Sequence, residues 1–143
     1  MEEMKKRMKG CLIICSVIAC VISGFICLVA DAQWAEEQRA MVAQDFLEAI
    51  VTVDEEKIDL YCNEETFIHG SSFYEFRNKI IPSWKTVWVE VTDYELTGES
   101  DSVPGWYFFK IEYIDANGNV NVIEGSFTVS RKGRLFWVSM FGI

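Results

Sequence analysis

The stretch from Phe108 to Gly142 reads FFKIEYIDANGNVNVIEGSFTVSRKGRLFWVSMFG, and its pattern decides the fold class. Apolar side chains recur at every second residue in three runs, which is the period of β-strands that bury one face. Asn117-Gly118 predicts a tight hairpin with positive φ between the first two runs. Lys132-Gly133 predicts the same between the next two, so three consecutive antiparallel strands are expected.

A further strand is predicted upstream of this stretch. Val87, Val89 and Val91 alternate with Trp88 and Glu90, again with a period of two. The segment TGESDSVPG, residues 97–105, then forms a longer acidic loop before the strand that begins near Trp106. The sequence therefore predicts a meander of about four strands.

The sequence that follows residue 33 has a helical period instead, up to about residue 53. An apolar stripe with steps of three, four and seven predicts a helix from about Gln33 to Val51. Its members are Ala35, Val42, Phe46, Ala49 and Val53.

Two capping boxes predict two further helices. Thr52 with Glu55 would start a short helix that ends near Tyr61 or Cys62. Ser72 with Glu75 would start another, which Pro82 closes. Runs of helices followed by runs of strands indicate the α+β class. We expect three helices packed on a bent antiparallel sheet.

The N-terminal segment predicts a membrane span. The run from Cys11 to Ala30 contains no charged side chain, and a basic tail at residues 1–10 precedes it. At about 1.5 Å per residue such a helix reaches roughly 30 Å, the thickness of the hydrocarbon core. The positive-inside rule places the tail in the cytoplasm and residues 33–143 outside, as a single-pass protein of a bacterial cell membrane.

Two other interpretations of this segment stay open. Val17-Ile18-Ala19-Cys20 resembles a lipobox, in which Cys20 would be acylated, although the chain stays mostly apolar from Val21 to Ala30. Small residues around Ala30 and Ala32 resemble signal-peptide cleavage sites, although the apolar run is longer than a usual signal core. All three interpretations export the rest of the chain.

Composition excludes several classes of function. Residues 31–143 carry nine Lys or Arg against 20 Asp or Glu, so a nucleic-acid partner is not expected. His69 is the only histidine and Cys62 the only exported cysteine, so no metal or cofactor site is predicted. Cys62 is interpreted as a structural thiol rather than a nucleophile paired with His69.

The element order and the closing strand pattern resemble the NTF2-like superfamily over roughly Ala35 to Phe141. The resemblance implies a strongly bent sheet that wraps helices into a cone with a pocket at one end. Members include isomerases, dehydratases, transport factors and binding domains. The short basic tail, single span and outside domain are similar in plan to the VirB8-like components of conjugation channels.

That resemblance supplies one set of candidate residues. Enzymatic members place Asp, Tyr or His side chains inside the cone, and the matching candidates are Tyr61, His69, Asp93 and Tyr113. An anchored pocket domain that binds or converts a small apolar molecule is therefore one functional hypothesis.

The aromatic residues of the sheet supply the other hypothesis. The strand after Pro104 is apolar on both faces, and the helical stripe can cover only one of them. Trp88, Trp106 and Phe108 share the parity opposite to Val89 and Phe109, and we expect them to anchor an interaction surface. The preferred function is a membrane-anchored protein-interaction domain, including a place in a secretion or conjugation assembly, with a second copy or a membrane-complex protein as partner.

Overall fold

Helices occupy the first part of the chain and strands the second, which confirms the α+β class. The computed structural model describes residues 2–62 and 74–143, with side chains at 14–62 and 74–143. The helices are α1 (Glu2–Val51), α2 (Glu55–Tyr61) and α3 (Ile81–Val87), and a π-helical turn at Phe76–Ile80 leads into α3. The strands are β1 (Glu90–Glu99), β2 (Trp106–Ile114), β3 (Val120–Lys132) and β4 (Leu135–Gly142).

The chain divides into two compact units, residues 1–37 and residues 38–143. In the first unit, every described side chain from Ile14 to Gln33 is exposed. An 18-residue window of this region has a mean hydropathy of 2.4 and no residue buried by protein. By length and composition the helix could cross a membrane, and a signal sequence near an N-terminus would pass the same test.

α1 differs from the two separate helices that the sequence predicted. It runs without interruption from Glu2 to Val51, through the point near Gln33 where a new helix was expected. Asp31, Ala32 and Gln33 interrupt the apolar run but not the backbone, since none of them lacks an N–H or needs positive φ. The change of polarity near Gln33 therefore does not mark the end of a helix.

The predicted capping box at Thr52 is wrong. The Thr52 hydroxyl donates a hydrogen bond to the carbonyl of Glu48, 2.8 Å away, and so belongs to the end of α1. The N-cap of α2 is Asp54, whose carboxylate accepts a hydrogen bond from the Lys57 N–H at 3.1 Å. α2 itself ends at Tyr61, as expected.

The end of α1 explains why the second helix starts two residues late. The Val53 N–H bonds to the Ile50 carbonyl at 3.0 Å, and the Asp54 N–H bonds to the Ala49 carbonyl at 2.9 Å. This is the Schellman arrangement, which needs a left-handed residue just after the helix. Val53 occupies that position with φ of 50°, where glycine is usual.

Pro82 does not close the third helix, contrary to the prediction. It lies in the first turn of α3, which continues to Val87. The turn before it is π-helical, and the Ile81 N–H bonds to the Phe76 carbonyl five residues back. A widened turn accommodates a proline, which has no N–H and would crowd the preceding carbonyls of a regular helix. The predicted capping box at Ser72 lies outside the described residues.

The sheet is an antiparallel meander with strand order β1-β2-β3-β4. Gly118, with φ of 79°, ends a turn in which its N–H bonds to the Asp115 carbonyl. Gly133, with φ of 64°, opens the short turn between β3 and β4. Both predicted hairpins are therefore present. β1 begins later than expected, because Val87 still belongs to α3.

One face of the sheet carries the core of the second unit. Phe46 of α1 packs edge-on against Phe127 of β3, with ring centroids 5.1 Å apart. Phe76 lies over Phe141 of β4 at 4.5 Å, and Phe109 of β2 completes this layer. The buried side chains of α1 in this core are Ala43, Phe46, Leu47, Ala49 and Ile50. We call this the inner face of the sheet; the opposite, outer face carries the candidate site.

Candidate interaction surface on the outer sheet face

Successive side chains of β2 point to opposite faces of the sheet. Tyr107 and Phe109 point to the inner face, with exposed fractions of 5% and 1%. Trp106 and Phe108 point outward, with exposed fractions of 36% and 40%. Two large aromatic side chains are therefore exposed on the face of the sheet opposite the core.

The outer aromatic pair is one contiguous feature. The ring centroids of Trp106 and Phe108 lie 5.7 Å apart, with their planes inclined by 30°. On the next strand their register partners are Thr128 and Ser126, which are small. Beyond Thr128 lies Met140 of β4, a flexible apolar side chain that is also exposed.

The register neighbours of Phe108 on the flanking strands have small side chains or none. Gly98 of β1 is its register partner on one side, and Ser126 followed by Gly142 of β4 lies on the other. We call this region the aromatic shelf, and define it by Gly98, Trp106, Phe108, Ser126, Thr128, Met140 and Gly142.

Acidic side chains follow next to the shelf along the strands. Lys110 of β2 pairs in register with Glu95 on one side and Glu124 on the other. In the following row Asp93 pairs with Glu112. Four acidic residues and one lysine thus occupy two neighbouring rows, and we call these five residues the acidic belt. The pairs of Lys110 join opposite charges and favour the sheet, whereas the Asp93–Glu112 pair joins like charges and destabilises it slightly.

Trp88 does not belong to this surface, which corrects the prediction made from parity. It is the C-cap of α3, and its backbone N–H bonds to the Trp84 carbonyl, so strand alternation has not yet begun. Its ring stacks on Trp84 with centroids 4.8 Å apart and planes 12° apart. It also contacts the ring of Tyr113, whereas Val89 is exposed.

The four pocket candidates are not gathered at one place by the described residues. Asp93 lies on the outer face, and Tyr113 lies on the inner face beside Trp88. Tyr61 is on α2, where its hydroxyl donates a hydrogen bond to Asp45. His69 lies outside the described residues.

Tyr61 has a structural environment of its own. Burial first, and then the hydrogen bond to Asp45, raise the pKa of Tyr61 to about 12. The same hydrogen bond is the main cause that holds the pKa of Asp45 below its ordinary value. A groove of about 490 Å³ lies beside this pair, lined also by Gln38 and Met41. A phenol with so high a pKa stays protonated near neutral pH and is a poor general base.

Cys62 is an inert thiol in this structure. It is fully buried, and its sulfur donates to the carbonyl of Ile58 at 3.2 Å. Burial raises the pKa of Cys62 to about 12, so the nucleophilic thiolate is scarce near neutral pH. Among the described residues, no group of His, Cys, Asp and Glu side chains is arranged to hold a metal ion.

Sequence reasoning missed the small residues of the shelf and the acidic belt. The alternation of β2 alone predicts which face Trp106 and Phe108 share. The neighbours across the strands depend on register, and β1 has two shifts in its pairing with β2. The register between β2 and β3 could have been predicted from the tight turn at Gly118, because a hairpin turn sets the register of its two strands.

Comparison with protein-family models, with curated proteins and with solved structures finds no match to this chain.

Proposed function

We propose that this chain is a membrane-anchored protein-interaction domain whose docking surface is the aromatic shelf. Residues 11–30 span the membrane, residues 1–10 remain in the cytoplasm, and residues 33–143 lie outside a bacterial cell. The uncharged run from Cys11 to Ala30, with basic residues before it, supports the anchor and its orientation. Placement in a secretion or conjugation assembly is the part of the proposal that rests on resemblance alone.

The observation that carries the docking function is the exposure of Trp106 and Phe108 side by side. Aromatic and methionine side chains are enriched at protein interfaces, and both kinds are present here with Met140. Covering the exposed part of each ring would contribute roughly 1 kcal/mol. The fold has no need of these rings at the surface, since the core is filled from the inner face.

The proposal includes an NTF2-like cone for residues 33–143. The sheet has pairing shifts near Asp93 and Gly98 in β1 and near Val129 in β3. Such irregularities bend strands, and a bent sheet is what a cone requires. The helical side of that cone holds packed aromatic rings, including Phe46, Phe76 and Phe141.

The alternative function is a pocket domain for a small apolar molecule, and it has weaker support. Asp93 and Tyr113 lie on opposite faces of the sheet, and Tyr61 is engaged by Asp45. The groove beside Tyr61 is the feature that would favour it. Tyr61→Phe separates the two hypotheses, because it alters the groove and leaves the shelf intact.

Chemical cross-linking in intact membranes tests the docking function. The full chain should form a cross-linked species of higher mass, and Trp106→Glu should remove it. Leu60→Glu is the matched control, since Leu60 is an exposed apolar residue on α2, away from the sheet. Equal cross-linking of the parent and both variants would show that the shelf is not the docking surface.

Intact mass of the protein from purified membranes tests the anchor. A retained span leaves the full chain, apart from ordinary processing of the first methionine. Loss of residues 1–19 with an added lipid would instead show acylation at Cys20. Loss of the chain up to Ala30 or Ala32 without lipid would show cleavage, and the anchor would then be wrong although export would hold.

A further inference from the structure

Positive charge is gathered at one turn of the second unit. Arg131, Lys132 and Arg134 lie within four positions at the turn between β3 and β4, and residues 125–143 contain no Asp or Glu. Residues 38–130 carry 17 Asp or Glu against six Lys or Arg. We call residues 131–135 the basic tip, because its charge is opposite in sign to that of the unit around it.

The surroundings of the basic tip differ from those of most other cations in the unit. Lys57, Arg77, Lys79 and Lys85 each form an ion pair with an Asp or Glu. Across the β3–β4 hairpin, by contrast, Arg131 pairs in register with Phe136 and Lys132 pairs with Leu135. The positive charge of the tip is therefore not matched by acidic residues on the facing strand.

The basic tip has a defined shape. Gly133 turns the chain with φ of 64°, and Nε of Arg131 donates a hydrogen bond to the Gly133 carbonyl at 2.6 Å. The guanidinium of Arg131 also lies 5.9 Å from the ring centroid of Phe136. The exposed side chains of the tip are Lys132, Arg134 and Leu135. Leu135 is 72% exposed, so the tip presents a large apolar side chain between cationic ones.

The basic tip lies at the end of the second unit where the chain enters it. Phe46 of α1 contacts Phe127, whereas Arg39 lies nearer Val129: Gly105 accepts the Val129 N–H at 2.7 Å, and a Cβ on Gly105 would be 3.4 Å from Cδ of Arg39. This part of α1 and β3 therefore run in opposite directions. Beyond Val129, β3 continues for about 10 Å towards the tip, in the direction of the first residues of the unit.

The covalent chain keeps this end of the unit close to the proposed membrane span. Gln38, the first residue of the unit, follows Ala30 by eight residues. Even a fully extended chain of eight residues reaches at most about 29 Å. The β2–β3 turn, at residues 115–119, lies at the opposite end of the sheet.

We propose that the basic tip is a second membrane contact, at which Lys132 and Arg134 bind phosphate groups of phospholipids and Leu135 enters the interface. The proposal rests on the anchor proposed above and adds a contact outside the span. An anionic lipid surface attracts Lys and Arg within about one Debye length, and an apolar side chain beside them gains burial among the lipids.

The remaining charges of the unit favour a single orientation on the bilayer. The excess of carboxylates in residues 38–130 repels the rest of the unit from an anionic surface. The β1–β2 loop, with Glu99 and Asp101, lies at the same end of the sheet as the tip but between the two strands of the other edge. Two strand spacings, roughly 10 Å, separate the loop from the tip. The contact is therefore expected on the β3–β4 side of this end.

Photo-cross-linking of the full chain in vesicles tests the second contact. An amino acid that carries a benzophenone replaces Leu135, and the vesicles consist of phosphatidylglycerol and phosphatidylethanolamine. After illumination the intact chain should gain the mass of one phospholipid. Ala116, in the exposed β2–β3 turn, is the matched probe position and should give no lipid adduct. A probe at Lys132 should give the same adduct as Leu135, so that the result does not depend on one substitution.

Charge reversal tests whether phosphate binding holds the tip at the bilayer. With the probe at Leu135, Lys132→Glu should lower the yield of lipid adduct at least about threefold, because a repulsive charge replaces an attractive one. Lys79→Glu makes the same change of charge at an exposed residue of the π-helical turn, and it should leave the yield unchanged. Salt raised from about 0.1 M to about 1 M should lower the yield in the parent, since the Debye length falls from roughly 10 Å to 3 Å.

A probe at Val21, in the middle of the proposed span, separates failure of the tip contact from failure of the anchor. A lipid adduct at Val21 without one at Leu135 would reject the tip contact and keep the anchor. No adduct at either position would reject both.

Three further results would also overturn the proposal. Equal yields at Leu135 and Ala116 would show that the unit has no fixed orientation on the bilayer. A yield that Lys132→Glu does not change would reject phosphate binding. A Leu135 adduct with the mass of a second chain in place of a phospholipid would make the tip a protein contact.

Discussion

The hydroxyl of Tyr61 on α2 donates a hydrogen bond to the carboxylate of Asp45 on α1. The ammonium of Lys57 lies 3.5 Å from the other oxygen of the same carboxylate. The pair joins two helices that are separated by the left-handed turn at Val53. Tyr61 therefore has a stabilising role, which the pocket hypothesis did not predict.

This pair predicts a loss of stability in alkali. The pKa of Tyr61 is about 12 in the folded chain, against an ordinary value of 10.0. Between these values the unfolded chain gives up the phenolic proton while the folded chain keeps it. Stability present below pH 10 should therefore fall by at most about 1.4 kcal/mol per pH unit as the pH rises towards 12.

Tyr61→Phe isolates the contribution of this phenol. Urea unfolding followed by tryptophan fluorescence, at about pH 8 and about pH 11, should show a smaller alkaline loss in the variant than in the parent. Other tyrosines and lysines titrate equally in both proteins. An identical loss in the two would mean that Tyr61 ionises as freely in the folded chain as in the unfolded one.

Arg77 is predicted to hold α2 against the π-helical turn. Its guanidinium lies 2.7 Å from Glu55 and 2.9 Å from Asp59, and three-quarters of its side chain is shielded from solvent. Solvent screens a shielded guanidinium that binds two carboxylates less than it screens an exposed ion pair. Arg77→Met should lower the unfolding free energy by about 1–2 kcal/mol.

The exposed ion pair between Lys79 and Glu75 provides the comparison for Arg77. Its two side chains have exposed fractions of 67% and 60%, so solvent screens the interaction. Lys79→Met should change the unfolding free energy by less than about 0.5 kcal/mol. Equal effects at Arg77 and Lys79 would show that the first network contributes no more than a surface pair.

The left-handed conformation of Val53 predicts an unusual order of stabilities. Val53→Ala removes packing and keeps a side chain at φ of 50°, whereas Val53→Gly removes packing and relieves the backbone. Glycine should therefore be more stable than alanine here, by about 0.5–1 kcal/mol after its larger backbone entropy is included. Thermal unfolding of the two variants measures the difference, and an alanine variant above the glycine variant would contradict the strain.

Gly125 is predicted to tolerate no side chain. A Cβ would be 2.5 Å from the carbonyl oxygen of Gly142 and 2.6 Å from Cζ of Phe109. Gly125→Ala should destabilise the chain by about 1–3 kcal/mol, the usual range for overpacking a core. Gly98→Ala is the matched control in the same sheet, and it should show no loss. A stable Gly125→Ala variant would mean that Phe109 can move aside.

Residues 33–143 are predicted to fold without the N-terminal segment that precedes them. The second compact unit begins at Gln38, and its core starts with Ala43. A fragment that begins at Gln33 should show a near-ultraviolet circular dichroism spectrum with sharp aromatic bands, since Trp84 and Trp88 are stacked. A featureless spectrum from this fragment would count against an independent domain.

Local sequence patterns correctly predicted the elements that depend only on residues close together in the chain. The strand period of β2 and β3 follows from the alternation of apolar and polar residues along the chain. Gly118 and Gly133 follow from the positive φ that a tight hairpin requires. The α+β class followed from the order of these elements. The uncharged run from Cys11 to Ala30 likewise needs no tertiary contact to be recognised.

Predictions failed where a neighbouring element changed the outcome. Thr52 has the residue type of an N-cap, but the Schellman turn at Val53 places Asp54 at the start of α2. Pro82 usually ends a helix, and the π-helical turn before it admits the ring. In both cases the local signal was real, and a second backbone requirement a few residues away overrode it.

The apolar N-terminal run, the two hairpins and the acidic character of residues 31–143 follow from the amino-acid sequence without any tertiary contact. These depend on residue type and spacing along the chain. Tertiary packing, by contrast, is what turns Trp88 inward onto Trp84, leaves Trp106 exposed, and places Gly98 and Gly142 in the row of Phe108. Those relationships depend on where each strand begins and on its register, which are set by packing between segments far apart in sequence.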